Sequence, residues 1–245
     1  MKKMLLGVDV SAVARLRVHG IYDTPDPVTL IQLAQTGGAD FVTMHLTLDR
    51  CYIHDRDVRL ARELNHATFN IAIAPHEELL ALTLALAPQS VCLIPENSGV
   101  GLNIVEMCPI IEQFSRKLSD SDCNVGVFIE PDPAQIHCAL ECGIKRIILN
   151  TTEYAKESAR DCFSSNEYFN KIVTAAQLAY DCNLQVGAMG GLDYHNIQDI
   201  AKLAPLSFVE IGHSIISRSI ICGLSQAVST MKAAISTARN NELSK

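Results

Sequence analysis

Hydrophobic positions along the chain gather into short, almost unbroken runs bounded by turn residues. Eight stand out: Met4 to Val10, Phe41 to His45, Phe69 to Ala74, Ser90 to Ile94, Asn124 to Ile129, Arg146 to Asn150, Leu184 to Ala188 and Ser207 to Ile211. A strand with one wet face alternates apolar and polar residues, whereas a parallel strand covered on both faces does not, so these runs predict buried parallel strands. Between them the apolar spacing lengthens to that of amphipathic helices. The helical patterns cover Pro27 to Thr36, Asp55 to Leu64, Glu77 to Ala87, Ile104 to Leu118, Ala134 to Glu141, Asn166 to Asp181 and Ile197 to Ala204, with a long carboxy-terminal helix from about Ile220 to Thr237. Asp26-Pro27 and Pro131-Asp132-Pro133 place a capping carboxylate before a proline at the first helical position. Gly37-Gly38 and Gly143 fall where helices must stop.

Eight β/α units in 245 residues have the size of one (β/α)8 TIM barrel with extra helices, filling residues 1–245 as a single domain. A doubly wound open sheet is the alternative. It calls for a glycine-rich turn after the first strand, and Gly7-Val8-Asp9-Val10-Ser11 does not supply one.

Charge and composition narrow the partners. Twenty basic against 27 acidic residues give a net charge of −7, and 48% of positions are hydrophobic, which excludes a disordered chain and disfavours nucleic acid or an anionic membrane surface as partner. Met1-Lys2-Lys3 with the following apolar run resembles an export signal only briefly. Asp9 interrupts it, and it reads better as the first strand. Nine cysteines, an odd number with no CxxC pair, point to buried thiols in a reducing cytoplasm. Cys138 and Cys142 share a helix face, where packing is the simplest explanation. No HExxH or comparable spacing implies a metal.

In a barrel of this type the chemistry sits at the carboxy ends of the strands. That rule selects Asp9 and Ser11, His45, Pro95 and Glu96, Glu130 and Asp132, Asn150 and Glu153, Met189-Gly190-Gly191, and Gly212-His213. Glycines after the seventh and eighth strands, with a helix starting near Ser214, predict a phosphate cradle. His45, closing an apolar strand at the mouth, is a candidate general acid/base, since an imidazole both accepts and delivers protons near neutrality. His54, His66, His76 and His137 fall in helices or their approaches, and His195 at a helix start suits capping or binding. Asp55-Arg56-Asp57-Val58-Arg59 reads as a solvated helix start.

Taken together, Pro25-Asp26-Pro27-Val28, His45-Leu46 with Asp49-Arg50, Asp55-Arg56-Asp57-Val58-Arg59, Cys92-Leu93-Ile94-Pro95-Glu96, Phe128-Ile129 with Pro131-Asp132, Tyr194-His195-Asn196, and Ile211-Gly212-His213 with Ile215-Ile216 and Arg218 resemble the pyridoxine 5′-phosphate synthase family of vitamin B6 biosynthesis. The resemblance runs collinearly over essentially the whole chain. It implies a cofactor-free cytoplasmic enzyme that condenses 1-deoxy-D-xylulose 5-phosphate with 3-amino-2-oxopropyl phosphate, closes the pyridine ring, and releases phosphate and water. It also implies a homo-oligomer, an octamer in the family, with phosphorylated small molecules or inorganic phosphate as ligands.

The resemblance assigns His45 to a catalytic histidine and Gly191, Gly212 and His213 to phosphate binding. The family's catalytic glutamate on the third strand corresponds to Ala72, and its second catalytic histidine to Gly190. On the sugar-phosphate side, the family's Asn-x-Asp-His reads Asp9-Val10-Ser11-Ala12, and its arginines fall at Gly20 and Thr47. A family histidine is Tyr52, a glutamate is Ile148, and the threonine-rich loop is shortened to Asn97-Ser98-Gly99-Val100-Gly101. Three readings follow: the family reaction with Asp9, Glu96, Glu153 or Asp193 as substitute proton carriers, a related enzyme with a changed phosphorylated substrate, or a non-catalytic member that binds phosphate compounds or a partner.

Overall fold

The computed structural model describes residues 3–17, 24–64, 69–96, 99–160 and 167–243. The strands are Leu5–Asp9 (β1), Phe41–Leu46 (β2), Phe69–Ile73 (β3), Ser90–Leu93 (β4), Asn124–Ile129 (β5), Arg146–Asn150 (β6), Gln185–Met189 (β7) and Leu206–Ile211 (β8). Each pairs in parallel with the next, and β8 pairs with β1, so the sheet closes into an eight-stranded barrel. The helices before β6 are Ser11–Arg17 (α1), Pro27–Thr36 (α2), Asp55–Leu64 (α3), Glu77–Leu86 (α4), Ile104–Ser119 (α5) and Pro133–Glu141 (α6). After it come Thr152–Arg160 (α7), Glu167–Asp181 (α8), Ile197–Lys202 (α9), His213–Cys222 (α10) and Leu224–Leu243 (α11). This is the expected (β/α)8 TIM barrel.

The expected helix starts are built as read: Asp26 Oδ1 accepts from the Val28 N–H at 2.9 Å, and Asp132 Oδ1 from the Ala134 N–H at 3.0 Å. Three expectations need correction. The carboxy-terminal helix is two helices, because Gly223 at φ 81° turns the chain between Cys222 and Leu224, and the apolar spacing crosses that break without a visible change of period. Helices α1 and α7 are additional and lie directly after β1 and β6. Asp57 is not solvated. It is fully buried with Arg17, whose guanidinium bonds both Asp57 oxygens and the Tyr52 carbonyl, and the distance in sequence between the two residues hid the pairing.

Two apolar layers explain the unbroken strand runs. Outward-facing side chains such as Val42, Met44, Ile71, Val91, Val127 and Ile147 join the helices in one core, while Ala72, Cys92, Ile94, Phe128, Ile148 and Phe208 form a separate cluster inside the barrel. The interior is filled by an alternation of small and large residues on neighbouring strands. A Cβ at Gly7 (β1) would lie 2.2 Å from the Phe41 ring (β2), one at Gly187 (β7) 2.2 Å from the Phe208 ring (β8), and one at Gly126 (β5) 2.5 Å from Arg146 Nε (β6). Phe41 and Phe208 meet edge to face at 5.8 Å. Three odd strands thus give up side chains so that three even strands can fill the centre, which is how a closed barrel packs in layers.

Two stability outcomes follow. Gly187→Ala overpacks the interior and is expected to cost about 1–3 kcal/mol, measured by urea denaturation. Asp57→Ala leaves Arg17 buried without its partner and costs about 3–5 kcal/mol at pH 7. Burial alone would raise the Asp57 pKa, but the bonds from Arg17 and the His54 N–H outweigh it and hold the carboxyl below its usual range. The stabilisation is therefore present above the unfolded pKa of about 3.9 and fades as pH falls through the lower folded value. The gap between wild type and Asp57→Ala should narrow below about pH 4.

Candidate active site

At the carboxy ends of the strands the barrel wall divides into two halves. Ala72 (β3), Cys92 (β4), Ile94 beyond it, Phe128 (β5), Ile148 (β6) and Met189 (β7) form an apolar arc. Asp9 (β1), Thr43 and His45 (β2) and Glu210 (β8) form a polar one. Closure of β8 onto β1 brings the two ends of the chain's polar positions together.

His45 is fixed by its strand, whose backbone N–H at this residue donates to Ser11 Oγ at 2.7 Å. Its Nε2 is buried and has no hydrogen-bond partner among the described residues. Burial pushes its pKa below the usual histidine range. The Asp9 charge opposes that, the Arg15 charge adds to it, and Asp49 opposes it more weakly. The imidazole is accordingly neutral at pH 7. Arg15 itself projects from α1 and stacks on the Tyr52 ring at 4.9 Å. It escaped notice in the sequence because α1 did.

Asp9 turns its Oδ1 to the Ser11 N–H at 2.8 Å. Its Oδ2 lies 3.2 Å from where a Gly212 side chain would begin, so the glycine is what lets β8 and β1 approach at the rim. Gly212 caps α10, and His213 is the exposed first residue of that helix. The α10 amino end and the Gly190-Gly191 turn, at φ 113° and 67°, stand on the same rim.

Glu210 was not among the expected site residues, although a lone acid inside Leu206-Ser207-Phe208-Val209-Glu210-Ile211 was the signal for it. It is 7% exposed. Burial, then the Asp9 charge, pushes its pKa up to about 7 against the hydrogen bond from Thr43 and the charge of Arg146. A hydrogen-bonded chain crosses the interior to reach it. Arg146 Nη2 donates to Asn70 Oδ1 at 3.1 Å and to the Val91 carbonyl at 3.0 Å, and Asn70 Nδ2 donates to Thr43 Oγ1 at 3.1 Å. Thr43, next to Asp9 in register, favours the Glu210 anion. Cys92, facing Arg146, is pushed up to about 12 by burial and is a neutral thiol.

The other acidic candidates are engaged elsewhere or, for Glu96, exposed. Asp193 Oδ1 accepts from the His195 and Asn196 N–H groups at 2.8 and 2.9 Å. Glu130 Oε1 accepts from the Gly101 N–H and from Asn150 Nδ2, both at 2.7 Å, and Asn150 Oδ1 accepts from the Thr152 N–H at 2.9 Å. Glu153 pairs with Lys156 at 2.6 Å, and Glu96 is exposed. Gly190 has no room for a side chain: a Cβ would stand 2.6 Å from Thr152 Oγ1 and 2.8 Å from Asn150 Oδ1. Gly20, His66, Asn97, Ser98 and Cys162 lie outside the described residues. A group with the chemistry to hold a soft metal ion lies on the outer helices, where the Sγ atoms of Cys108 on α5 and of Cys138 and Cys142 on α6 fall within 4.8 Å of one another. Burial pushes the Cys138 and Cys142 thiols up, so they pack there as neutral groups.

Comparison with known proteins agrees with this architecture. The barrel resembles phosphoribosyl anthranilate isomerase from Thermus thermophilus, at a TM-score of 0.60 and 12% identity over 96% of this chain and 100% of that one. It also resembles 3-keto-L-gulonate-6-phosphate decarboxylase from Vibrio cholerae, at 0.63 and 10% over 97% and 99%. At such identities the likeness is one of fold. Pyridoxine 5′-phosphate synthase of Photobacterium profundum is 37% identical over 98% of this chain and 100% of its own length, and that of Blochmanniella floridana 32% over 99% of each. The family model described as "Pyridoxal phosphate biosynthesis protein PdxJ" matches residues 6–237. The chain therefore belongs to the PdxJ family of pyridoxal phosphate biosynthesis proteins.

Proposed function

We propose that this protein catalyses the family condensation of 1-deoxy-D-xylulose 5-phosphate with 3-amino-2-oxopropyl phosphate to pyridoxine 5′-phosphate, with His45 as general base. The observation that carries the reading is the neutral His45, its Nε2 unengaged by the described residues, next to Asp9 and thereby to the Gly212-His213 rim. Ring closure requires protons to be taken from carbons beside carbonyl groups, and a neutral imidazole in a water-poor barrel mouth is suited to that. A substrate phosphate is held by the N–H groups at the start of α10, by the Gly191 turn and by His213, where the helix end favours an anion. Arg15 is the cation nearest His45 in its electrostatic effect and takes the place of the absent arginines at the mouth.

The apolar arc of Ala72, Cys92, Phe128 and Ile148, with the closed position at Gly190, favours a second reading in which one of the two substrates is exchanged for a different phosphorylated compound with a more apolar body. Self-association is supported by Ile220 and Ile221 on α10, 75% and 89% exposed. A reducing, cytoplasmic setting is in keeping with eight free thiols among the described cysteines. Among the described residues no helix is long and apolar enough to cross a membrane.

Purified protein given both substrates should form pyridoxine 5′-phosphate, and His45→Gln should lower kcat by about 100-fold or more. His213→Ala should act mainly on KM. Since burial lowers the His45 pKa, kcat/KM should fall on the acid side only below about pH 6.5. Product no greater than in a reaction without protein would refute the family activity. A thermal-shift response to other phosphorylated compounds that His213→Ala abolishes would then establish the second reading.

A further inference from the structure

We infer that Glu210 is the general acid of this site, delivering its carboxyl proton to a hydroxyl that leaves the substrate as water. The inference rests on the acid–base reading above and adds to it a residue that no expectation from the sequence contained. Three observations support it.

The first is position. Glu210 lies on the inner face of β8 between Gly7 of β1 and Met189 of β7 in register, and it keeps 7% of its surface exposed. Like Asp9 on β1 and His45 on β2, Glu210 stands within two residues of its strand's carboxy end, on the rim where the barrel opens. The second is charge balance. The polar groups acting on the carboxyl are Asp9 from β1, Thr43 from β2 and Arg146 from β6, and Cys92 from β4 is neutral. The Asp9 charge disfavours a second anion beside it, and the Arg146 charge offsets this only in part. Burial and the Asp9 charge together raise the Glu210 pKa to about 7. The third is connection. The chain from Arg146 through Asn70 to Thr43 ends on β2 at the residue in register with Asp9, and Thr43 favours the Glu210 anion.

In a dehydration, neutral His45 removes a proton from the carbon beside a carbonyl. Glu210 gives its proton to the hydroxyl on the adjacent carbon, the C–O bond breaks, a C=C bond forms, and water departs. The site is left with a His45 imidazolium and a Glu210 carboxylate, and passage of one proton between them restores both. No oxidant or further reactant is needed.

Infrared difference spectroscopy across a pH titration tests the acid independently of any substrate. Wild type should show a protonated-carboxyl carbonyl band that disappears around pH 7 and is missing in the isosteric Glu210→Gln. Asp9→Asn removes the repelling charge and should move that midpoint down, while Thr43→Val removes a bond to the anion and should move it up. A role limited to packing produces no such pair of opposite shifts. With the two family substrates, Glu210→Gln should lower kcat about 100-fold and abolish the alkaline limb of the wild-type pH profile. Absence of the band, or an unchanged alkaline limb in Glu210→Gln, overturns the inference. If wild type turns over neither substrate, the family activity falls, and the titration with its two opposite shifts still decides whether Glu210 is a proton donor.

Discussion

A guanidinium enclosed in a barrel is the constraint around which the interior is organised. Arg146 is 8% exposed and has no carboxylate in direct contact among the described residues. Its charge is met by the Asn70 and Val91 oxygens and by the Phe208 ring, 5.8 Å from the guanidinium carbon. The Asn70 side chain that meets the guanidinium passes the polar contact on to Thr43, and the Arg146 charge reaches Glu210 across the same interior. The room for Arg146 exists because Gly126 on the neighbouring strand has no side chain. Packing, charge and the acid–base groups at the mouth are therefore parts of one arrangement, and a change in any of them is felt by the others.

That arrangement presents acid–base groups although the positions the resemblance assigns to a glutamate and a second histidine are Ala72 and Gly190 in this chain. Ala72 stands directly beside His45 in register, inside an apolar arc completed by Cys92, Phe128 and Ile148, and Gly190 is closed by Thr152 and Asn150. A side chain at Gly190 would collide with Thr152 and Asn150, and a carboxyl at position 72 would stand among apolar neighbours. The polar groups have instead collected across the β8–β1–β2 seam, where a neutral base and a protonated carboxyl stand near one anionic partner. Two titratable groups held in opposite states by their surroundings are what a dehydration needs.

Much of this was legible in the chain. Unbroken apolar runs marked β1 to β8 to within about a residue or two because parallel strands buried on both faces leave no other pattern. The rule that chemistry collects at strand carboxy ends pointed to Asp9, His45, Gly191, Gly212 and His213, which the barrel places on one rim. It also drew in Glu130 and Asn150, which the structure engages in loop bonds, since a polar side chain that holds a loop and one that reacts look alike in sequence. Arg17 with Asp57, forty residues apart, and Arg15 with His45 were beyond any local pattern.

The sequence alone determined which segments are strands, that they are parallel and covered, and which family pattern they follow, because those properties depend on spacing along the chain. Only the folded barrel decided which charged residues share an interior. Glu210 and Asp9 are separated by most of the chain, and closure of β8 onto β1 places them in one low-dielectric space, where each alters the ionisation of its neighbours. Ionisation depends on distance through space and on burial, and neither is written in the order of residues.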